Sequence, residues 1–257
     1  MIDLHSHILP NIDDGSKSLE ESIEIIKQAV SNGVTDIIVT PHFILGSSYN
    51  KEKKDNKKLL AELKEKVSSE NLNINLYLGN EIFVDIEMVS LLINKKISSL
   101  NDTRYVLFEL PMNNEYKNIR KTLFDLQNAG YIPVIAHPER YRVIKENPKL
   151  VEEWKEAGAV FQSNIGSLLG RYGKEAKKTL EILLKHEAIT FLSSDIHHSR
   201  DTFYDDIPKL KKILEKIISD DYIEELFETN GKKVLNNEKI NLREMIPLKK
   251  NVFGQYK

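Results

Sequence analysis

Two kinds of segment alternate along the chain, and this alternation constrains its fold more than any other feature. Seven short, largely apolar runs rich in β-branched residues recur between longer charged stretches whose apolar residues have helical spacing. The runs are residues 1–5, 35–40, 74–78, 104–109, 132–137, 159–163 and 189–194, and the helical stretches are residues 18–32, 51–69, 86–94, 118–129, 147–157, 174–186 and 208–219. Repeated βα units of this kind predict parallel strands that are covered on both faces.

Seven such units in one run favour a closed or distorted barrel over an open, doubly wound sheet. A chain of 257 residues is long enough to build this barrel as a single domain. We therefore expect an α/β fold over residues 1–257, in which residues 222–257 form a C-terminal helical extension and tail. No G-x-G-x-x-G or G-K-[ST] sequence follows a strand run, so a dinucleotide-binding or P-loop site has no support.

Charge and composition exclude several classes of partner. Lys and Arg number 37 against 39 Asp and Glu, so the formal net charge of −2 gives no general attraction for nucleic acid. The sequence has no apolar run of transmembrane length and no secretory signal, which predicts a cytoplasmic protein without membrane insertion. The absence of cysteine agrees with that location, and it excludes disulfides, thiolate metal ligands and a cysteine nucleophile.

Ionisable side chains cluster where the strand runs end. Only the sixth run, which ends in Gln162, Ser163 and Asn164, has no His, Asp or Glu at that point. In a parallel barrel these ends meet at one rim, where active sites lie. Imidazole and carboxylate groups without sulfur suit Mn, Fe or Zn, and their number suits a centre of two or three ions. The candidate ligands are His5, His7, Asp14, His42, Glu81, Glu109, His137, Asp195 and His197.

Each of these residues taken alone has an ordinary structural explanation, since a strand-end histidine is often a hydrogen-bonded rim residue and Asp-Asp-Gly usually forms a turn. The joint pattern differs, because at least five of the seven histidines fall at strand ends. His186 falls at a helix end, where it is expected to face the helix dipole. The role of His198 stays open.

Several motifs together resemble the PHP (polymerase and histidinol phosphatase) superfamily. Within it, the chain looks like the metal-dependent protein-tyrosine phosphatases of bacterial capsule and exopolysaccharide operons. The motifs are M-I-D-L-H-S-H-I-L-P-N-I-D-D-G-S-K at 1–17, T-P-H at 40–42, G-N-E-I at 79–82, F-E-L at 108–110, A-H-P-E-R-Y at 136–141 and S-S-D-I-H at 193–197. The resemblance spans nearly the whole chain.

The resemblance implies a distorted (β/α)7 TIM-like barrel and a centre of three ions, with manganese as the expected metal and iron or zinc as alternatives. It also implies how the ligands divide among the ions. One ion would be held by His5, His7, Glu81 and Asp195, a second by Glu81, Glu109 and His137, and a third by Asp14, His42 and His197.

Two arginines follow the ligand motifs. Arg140 and Arg200 each lie three residues after a candidate histidine, so both are expected at the rim, where a guanidinium can hold two phosphoryl oxygens at once. A structural ion pair is the alternative for both. Arg171, in the loop after the sixth strand, is a weaker candidate. Phe43 and Tyr49 are candidates for packing on a phenyl ring, and core packing of one of them is an equal alternative.

These features predict metal-dependent hydrolysis of phosphotyrosine in proteins. The resemblance implies, as partner, the phosphorylated Tyr-rich tail of a bacterial tyrosine kinase that controls polysaccharide export. A thiol-dependent tyrosine phosphatase is excluded because the chain has no cysteine. The alternatives are a small-molecule phosphomonoesterase such as histidinol phosphatase, a metal hydrolase of C–N or C–O bonds, and a non-catalytic regulator that binds phosphoproteins. The oligomeric state stays open.

Overall fold

The computed structural model describes residues 1–249 and residue 256. In this part of the chain the strands are β1 (Ile2–Asp3), β2 (Asp36–Val39), β3 (His42–Phe43), β4 (Asn75–Leu78), β5 (Glu81–Phe83), β6 (Tyr105–Glu109), β7 (Ile132–Ala136), β8 (Val160–Asn164) and β9 (Phe191–Ser193). The helices are α1 (Leu19–Ser31), α2 (Lys53–Ser69), α3 (Met88–Ile93), α4 (Ile119–Asn128), α5 (Arg142–Glu146), α6 (Lys149–Glu156), α7 (Ile165–Leu168), α8 (Lys174–Lys185), α9 (Ile207–Leu214), α10 (Asp220–Glu224) and α11 (Asn230–Leu235).

Each of the seven predicted strand runs overlaps a strand, and each predicted helical stretch overlaps a helix. Helix α1 illustrates why: Ser18 caps its start by accepting a hydrogen bond from the Glu21 backbone N–H at 3.2 Å, and its apolar residues face the core. The predicted C-terminal extension contains α11 and the end of α10, while residues 250–255 and 257 of the predicted tail lie outside the described residues.

Two strands, β3 and β5, were not predicted. They are short continuations of β2 and β4 beyond Pro41 and beyond residues 79–80. Pro41 has no backbone N–H to donate to a ladder, so the pairing breaks there and resumes one residue later. Gly79 lies where space is tight, because a Cβ on it would be 3.0 Å from Leu100 and 3.1 Å from Ile38.

In the described residues every strand pair is parallel, and the strands form two sheets with the orders β1-β2-β4 and β3-β5-β6-β7-β8-β9. An isolated parallel bridge joins Ser6, just after β1, to Ile196, just after β9. The segments that follow β1 and β9 are thus neighbours. The α/β class with parallel strands is confirmed, while the strand pairing is divided between two sheets.

The strands bury both of their faces. Along β6, Val106 and Phe108 belong to an apolar cluster shared with the surrounding helices, whereas Tyr105 and Leu107 belong to a second cluster formed mainly by other strands. Helix α11 adds Val234 to this second cluster. The two-sided burial explains the nearly continuous apolar runs in the sequence. In the described residues, no helix is long and apolar enough to cross a bilayer.

Candidate metal and phosphate site

The candidate ligands converge on one pocket at the carboxyl ends of the strands. The pocket has a volume of about 520 Å³. His5 and His7 are fully buried, and each contacts Glu81, which lines the pocket. The wall contains the other candidates, which are Asp14, His42, Glu81, Glu109, His137, Asp195 and His197.

The most buried group consists of His5, His7, Glu81 and Asp195. The Nε2 atoms of the two histidines are 3.1 Å apart. Glu81 Oε2 lies 3.2 Å from each of these nitrogens, and Asp195 Oδ1 lies 3.3 and 3.4 Å from them. Four ligand atoms from buried side chains therefore face one another.

A turn after β1 orients His7. Its Nδ1 donates to Asp13 Oδ2 at 2.8 Å, which leaves the Nε2 lone pair of a neutral ring directed at the pocket. This is the usual arrangement of a metal-binding histidine. Asp13 also accepts the backbone N–H groups of Gly15 and His42, both at 2.9 Å. A Cβ on Gly15 would lie 2.1 Å from the His7 carbonyl oxygen, so only glycine allows the turn to close.

His42 belongs to two further groups, which are His42, Glu81 and Glu109, and His7, Asp14, His42 and His197. Its Nδ1 lies 3.1 Å from Glu81 Oε2, and its Nε2 lies 3.5 Å from Asp14 Oδ1. His137 Nε2 lies 2.8 Å from Glu81 Oε1 but 3.9 Å from Glu109 Oε2. The resemblance implies that Glu81 and Glu109 share an ion with His137. In the structure, the ligand group that contains these two carboxylates includes His42 instead.

The electrostatics of the pocket favour bound cations. Burial raises the pKa of Glu109 to about 9, and the negative charges of Glu81 and Asp195 add to the shift. Although burial opposes the charged form of His5, Glu81 and Asp195 raise its pKa to about 9. In the metal-free protein these groups must therefore hold protons between them, and a divalent ion can replace those protons.

Unpaired buried atoms lead to the same conclusion. Among the described residues, Glu81 Oε2 and His42 Nδ1 are buried atoms of the ligand groups without a hydrogen-bond partner. Buried polar groups normally have one, so such atoms call for an explanation such as an ion. The donor set contains only nitrogen and oxygen, which fits Mn, Fe or Zn without choosing among them.

Two candidate ligands occupy a left-handed backbone conformation that residues other than glycine rarely adopt. His137 has φ 34° and Asp195 has φ 53°. Each such residue costs about 1–3 kcal/mol and persists where the surrounding structure enforces it, typically at functional sites. The strain turns both side chains into the pocket just after β7 and β9.

Arg140 reaches the pocket from the turn after β7. Its Nη1 donates to Asp195 Oδ2 at 3.0 Å, and its guanidinium lies 4.4 Å from the centre of the Tyr172 ring. Arg200 also lines the pocket, with an exposed side chain. Arg171 lies at the same rim but donates to Thr202 Oγ1 at 2.7 Å, so it has a structural partner.

The remaining candidates lie outside the pocket or at its margin. Phe43 is buried in the core, whereas the Tyr49 ring stacks on His42 with centres 6.1 Å apart. His186 ends α8, where its Nδ1 lies 2.8 Å from the Ile246 carbonyl oxygen. His198 Nδ1 lies 3.6 Å from Glu21 Oε1 and does not face the ligand groups.

Sequence reasoning missed three residues that contact the candidate ligands. Asp13 was seen only as part of the turn motif, although its carboxylate orients His7. Gln162 and Asn164 end the one strand without an ionisable group, yet they contact His5 and Asp195. The signal available for the amides was their position at the end of β8, two residues apart and therefore on one face.

Comparisons with known proteins agree with this geometry. The profile of a family described as "Capsular polysaccharide synthesis, CpsB/CapC" matches residues 1–236. Relatives include CapC of Staphylococcus aureus, 38% identical over 94% of this chain and 93% of its own length, and the tyrosine-protein phosphatase YwqE of Bacillus subtilis, 36% identical over 99% of both chains. The tyrosine-protein phosphatase CpsB of Streptococcus pneumoniae is 31% identical over 93% of this chain and 100% of its own length.

Solved structures extend the comparison. A chain from the crystal structures of YwqE and CpsB, described as unique metal-dependent tyrosine phosphatases, matches with a TM-score of 0.89 and 34% identity. The match covers 97% of this chain and 100% of that one. A β-aspartyl dipeptidase of Fervidobacterium islandicum matches with a TM-score of 0.56 and 15% identity, over 100% of this chain and 81% of its own. That second likeness concerns the fold alone.

Proposed function

The chain belongs to the CpsB/CapC family of capsular polysaccharide synthesis, and on that premise we propose that it is a metal-dependent protein-tyrosine phosphatase. One observation carries the proposal. Imidazole and carboxylate groups from six strand ends converge on a pocket with Arg140 and Arg200 at its rim, in a chain without cysteine. Phosphotyrosine hydrolysis by a thiol nucleophile is thus excluded, whereas the donors for a metal-assisted route are present.

We assign the metal-holding role to the nine candidate residues. Divalent ions bound by them would supply positive charge for phosphoryl oxygens and would lower the pKa of water toward neutrality. We propose that the site binds three manganese ions. The residues divide into overlapping groups: His5, His7, Glu81 and Asp195; His42, Glu81 and Glu109, with His137 beside them; and His7, Asp14, His42 and His197.

The two arginines would bind the phosphoryl group and offset its charge as the bond to the phenol oxygen breaks. Arg140 is suited to this because its contact with Asp195 holds it beside the ligands while part of its side chain faces the pocket. A phenol has a pKa of about 10, so the phenolate leaves without a strong general acid.

Three further parts of the proposal concern architecture, partner and location. The bridge between Ser6 and Ile196 supports a distorted (β/α)7 barrel in which the two sheets form one ring. The partner would be the phosphorylated Tyr-rich tail of a bacterial tyrosine kinase, because a flexible tail fits a pocket that is open at the rim. The place of action would be the cytoplasm, where such a tail is phosphorylated.

The test compares two substrates on one preparation of the protein. We expect kcat/KM to be much larger for a phosphotyrosine peptide than for histidinol phosphate. Activity on histidinol phosphate alone would favour the small-molecule phosphatase. Binding of the phosphopeptide without turnover, in protein with full metal content, would favour a non-catalytic regulator and contradict the proposal.

A further inference from the structure

A row of buried amides on β8 connects two of the proposed metal ligands. Gln162 Oε1 lies 2.7 Å from His5 Nδ1, and Gln162 Nε2 lies 3.0 Å from Asn164 Oδ1. Asn164 Nδ2 then lies 2.6 Å from Asp195 Oδ2. All four side chains are at most 2% exposed. The row therefore runs without interruption from an imidazole to a carboxylate, shielded from solvent.

The direction of every hydrogen bond in this row follows from its carboxylate end. Asp195 also accepts from Arg140 and can only accept, so Asn164 must present its NH2 group to it. The Asn164 carbonyl oxygen then faces Gln162, which must in turn present its own NH2 group. The Gln162 carbonyl oxygen is left to face His5, so the hydrogen of that ring must be on Nδ1.

We infer that Gln162 and Asn164 are positioning residues of the metal site, which hold His5 in the tautomer whose Nε2 lone pair faces the ligand group. The inference rests on the proposed function insofar as it requires a bound metal. The opposite tautomer would direct an N–H at the site, and an N–H cannot bind a metal ion. The same row holds Asp195 by Oδ2, which leaves Oδ1 facing Nε2 of His5 at 3.3 Å.

The two amide groups of the row can exchange their O and NH2 positions only together. Rotation of one amide would place two acceptors or two donors against each other in a buried place, and each unpaired group there costs about 1–3 kcal/mol. Neutral amides perform this task without adding charge to a pocket that already holds Glu81, Glu109 and Asp195. A carboxylate at position 162 would orient the ring equally well but would break the contact with Asn164.

Two substitutions at position 162 separate positioning from packing. Gln162→Leu keeps the approximate volume and removes the acceptor, whereas Gln162→Glu keeps an acceptor for His5. Ser163→Ala is the matched control, since Ser163 is buried on the same strand, points to the opposite face and has no hydrogen-bond partner for its Oγ among the described residues. The measurements are Mn²⁺ affinity against a competing chelator, the visible spectrum of the Co²⁺-loaded protein, and Tm without metal.

A positioning role predicts that Gln162→Leu weakens binding of at least one Mn²⁺ about 10- to 100-fold and alters the Co²⁺ spectrum. Gln162→Glu should bind Mn²⁺ more tightly than Gln162→Leu does, and Ser163→Ala should match the wild type. A packing role predicts the reverse order, because a buried carboxylate disturbs the core more than leucine. Binding by Gln162→Leu that equals or exceeds binding by Gln162→Glu would overturn the inference.

A second position keeps the test decisive if Gln162→Leu does not fold. Asn164→Ala removes the donor to Asp195 and frees the Gln162 amide to rotate, so it should also weaken Mn²⁺ binding; wild-type affinity in this variant would overturn the inference. Wild-type protein that binds no metal would refute the proposed function and the inference with it. Normal metal binding by the wild type together with undiminished binding in the variants refutes only the inference.

Discussion

Replacing Glu81 by glutamine tests the centre of the proposed metal site. Its Oε2 lies within 3.1–3.2 Å of nitrogen atoms of His5, His7 and His42, and its Oε1 lies 2.8 Å from His137. Glu81→Gln keeps the shape and removes one negative charge that belongs to two ligand groups. Loss of a group that only orients a ligand lowers metal affinity about 10- to 100-fold. Loss of this shared carboxylate should lower the affinity for at least one ion by more than about 100-fold.

The kinetic effect of Glu81→Gln should be of the order of 10³ in kcat/KM, which corresponds to about 4 kcal/mol of lost transition-state stabilisation. The assay combines metal content by mass spectrometry after equilibrium dialysis with phosphate release from a phosphotyrosine peptide. Glu115→Gln is the control, because it removes an exposed carboxylate outside the ligand groups. Full metal content with normal turnover in folded Glu81→Gln protein would refute the central place given to this residue.

Three further predictions concern the rim, the missing thiol and the partly buried Lys155. Arg140→Ala and Arg200→Ala should each remove about 2–4 kcal/mol of transition-state stabilisation, measured as a fall in kcat/KM, and Lys at either position should restore part of it. Only Arg140→Ala should alter Tm, since Arg140 contacts Asp195. Wild-type kcat/KM in both alanine variants would contradict this prediction. Iodoacetamide should leave phosphatase activity unchanged, because the chain has no cysteine, and inactivation in the assay would count against the mechanism. Burial, which Glu187 only partly offsets, lowers the pKa of Lys155 from 10.5 to about 8. Between about pH 8 and pH 10.5 the unfolded chain therefore binds more protons than the folded chain, so the free energy of unfolding rises with pH. In urea unfolding, Lys155→Met should show a smaller rise with pH than the wild type. Equal slopes would contradict this prediction.

The sequence predicted the elements and the ligand residues because both follow from local patterns. Apolar runs mark strands buried on two faces, and parallel strands place their carboxyl ends at one edge whatever the details of pairing. The short strands β3 and β5, in which the pairing resumes, could not be predicted, since they contain only two and three residues. Their existence depends on hydrogen bonds between distant segments, which leave no periodic signal in so short a run.

The division of ligands into groups depends on three-dimensional distances in the same way. His42 pairs with Glu81 across β3 and β5, its Nδ1 lies 3.1 Å from Glu81 Oε2, and Asp13 accepts its backbone N–H. Gln162 and Asn164 were passed over because neutral amides give no signal of charge or metal affinity. Their importance appears only when the partners of His5 and Asp195 are traced.

The most direct test of the central claim is a titration of metal-free protein with Mn²⁺ while phosphate release from a phosphotyrosine peptide is followed. The account predicts negligible activity without metal and a rise to a plateau by three equivalents, one for each ligand group. Renewed chelation with EDTA should abolish the activity again. Full activity in protein shown to be free of metal, or no activity at any Mn²⁺, Fe²⁺ or Zn²⁺ concentration, would contradict it.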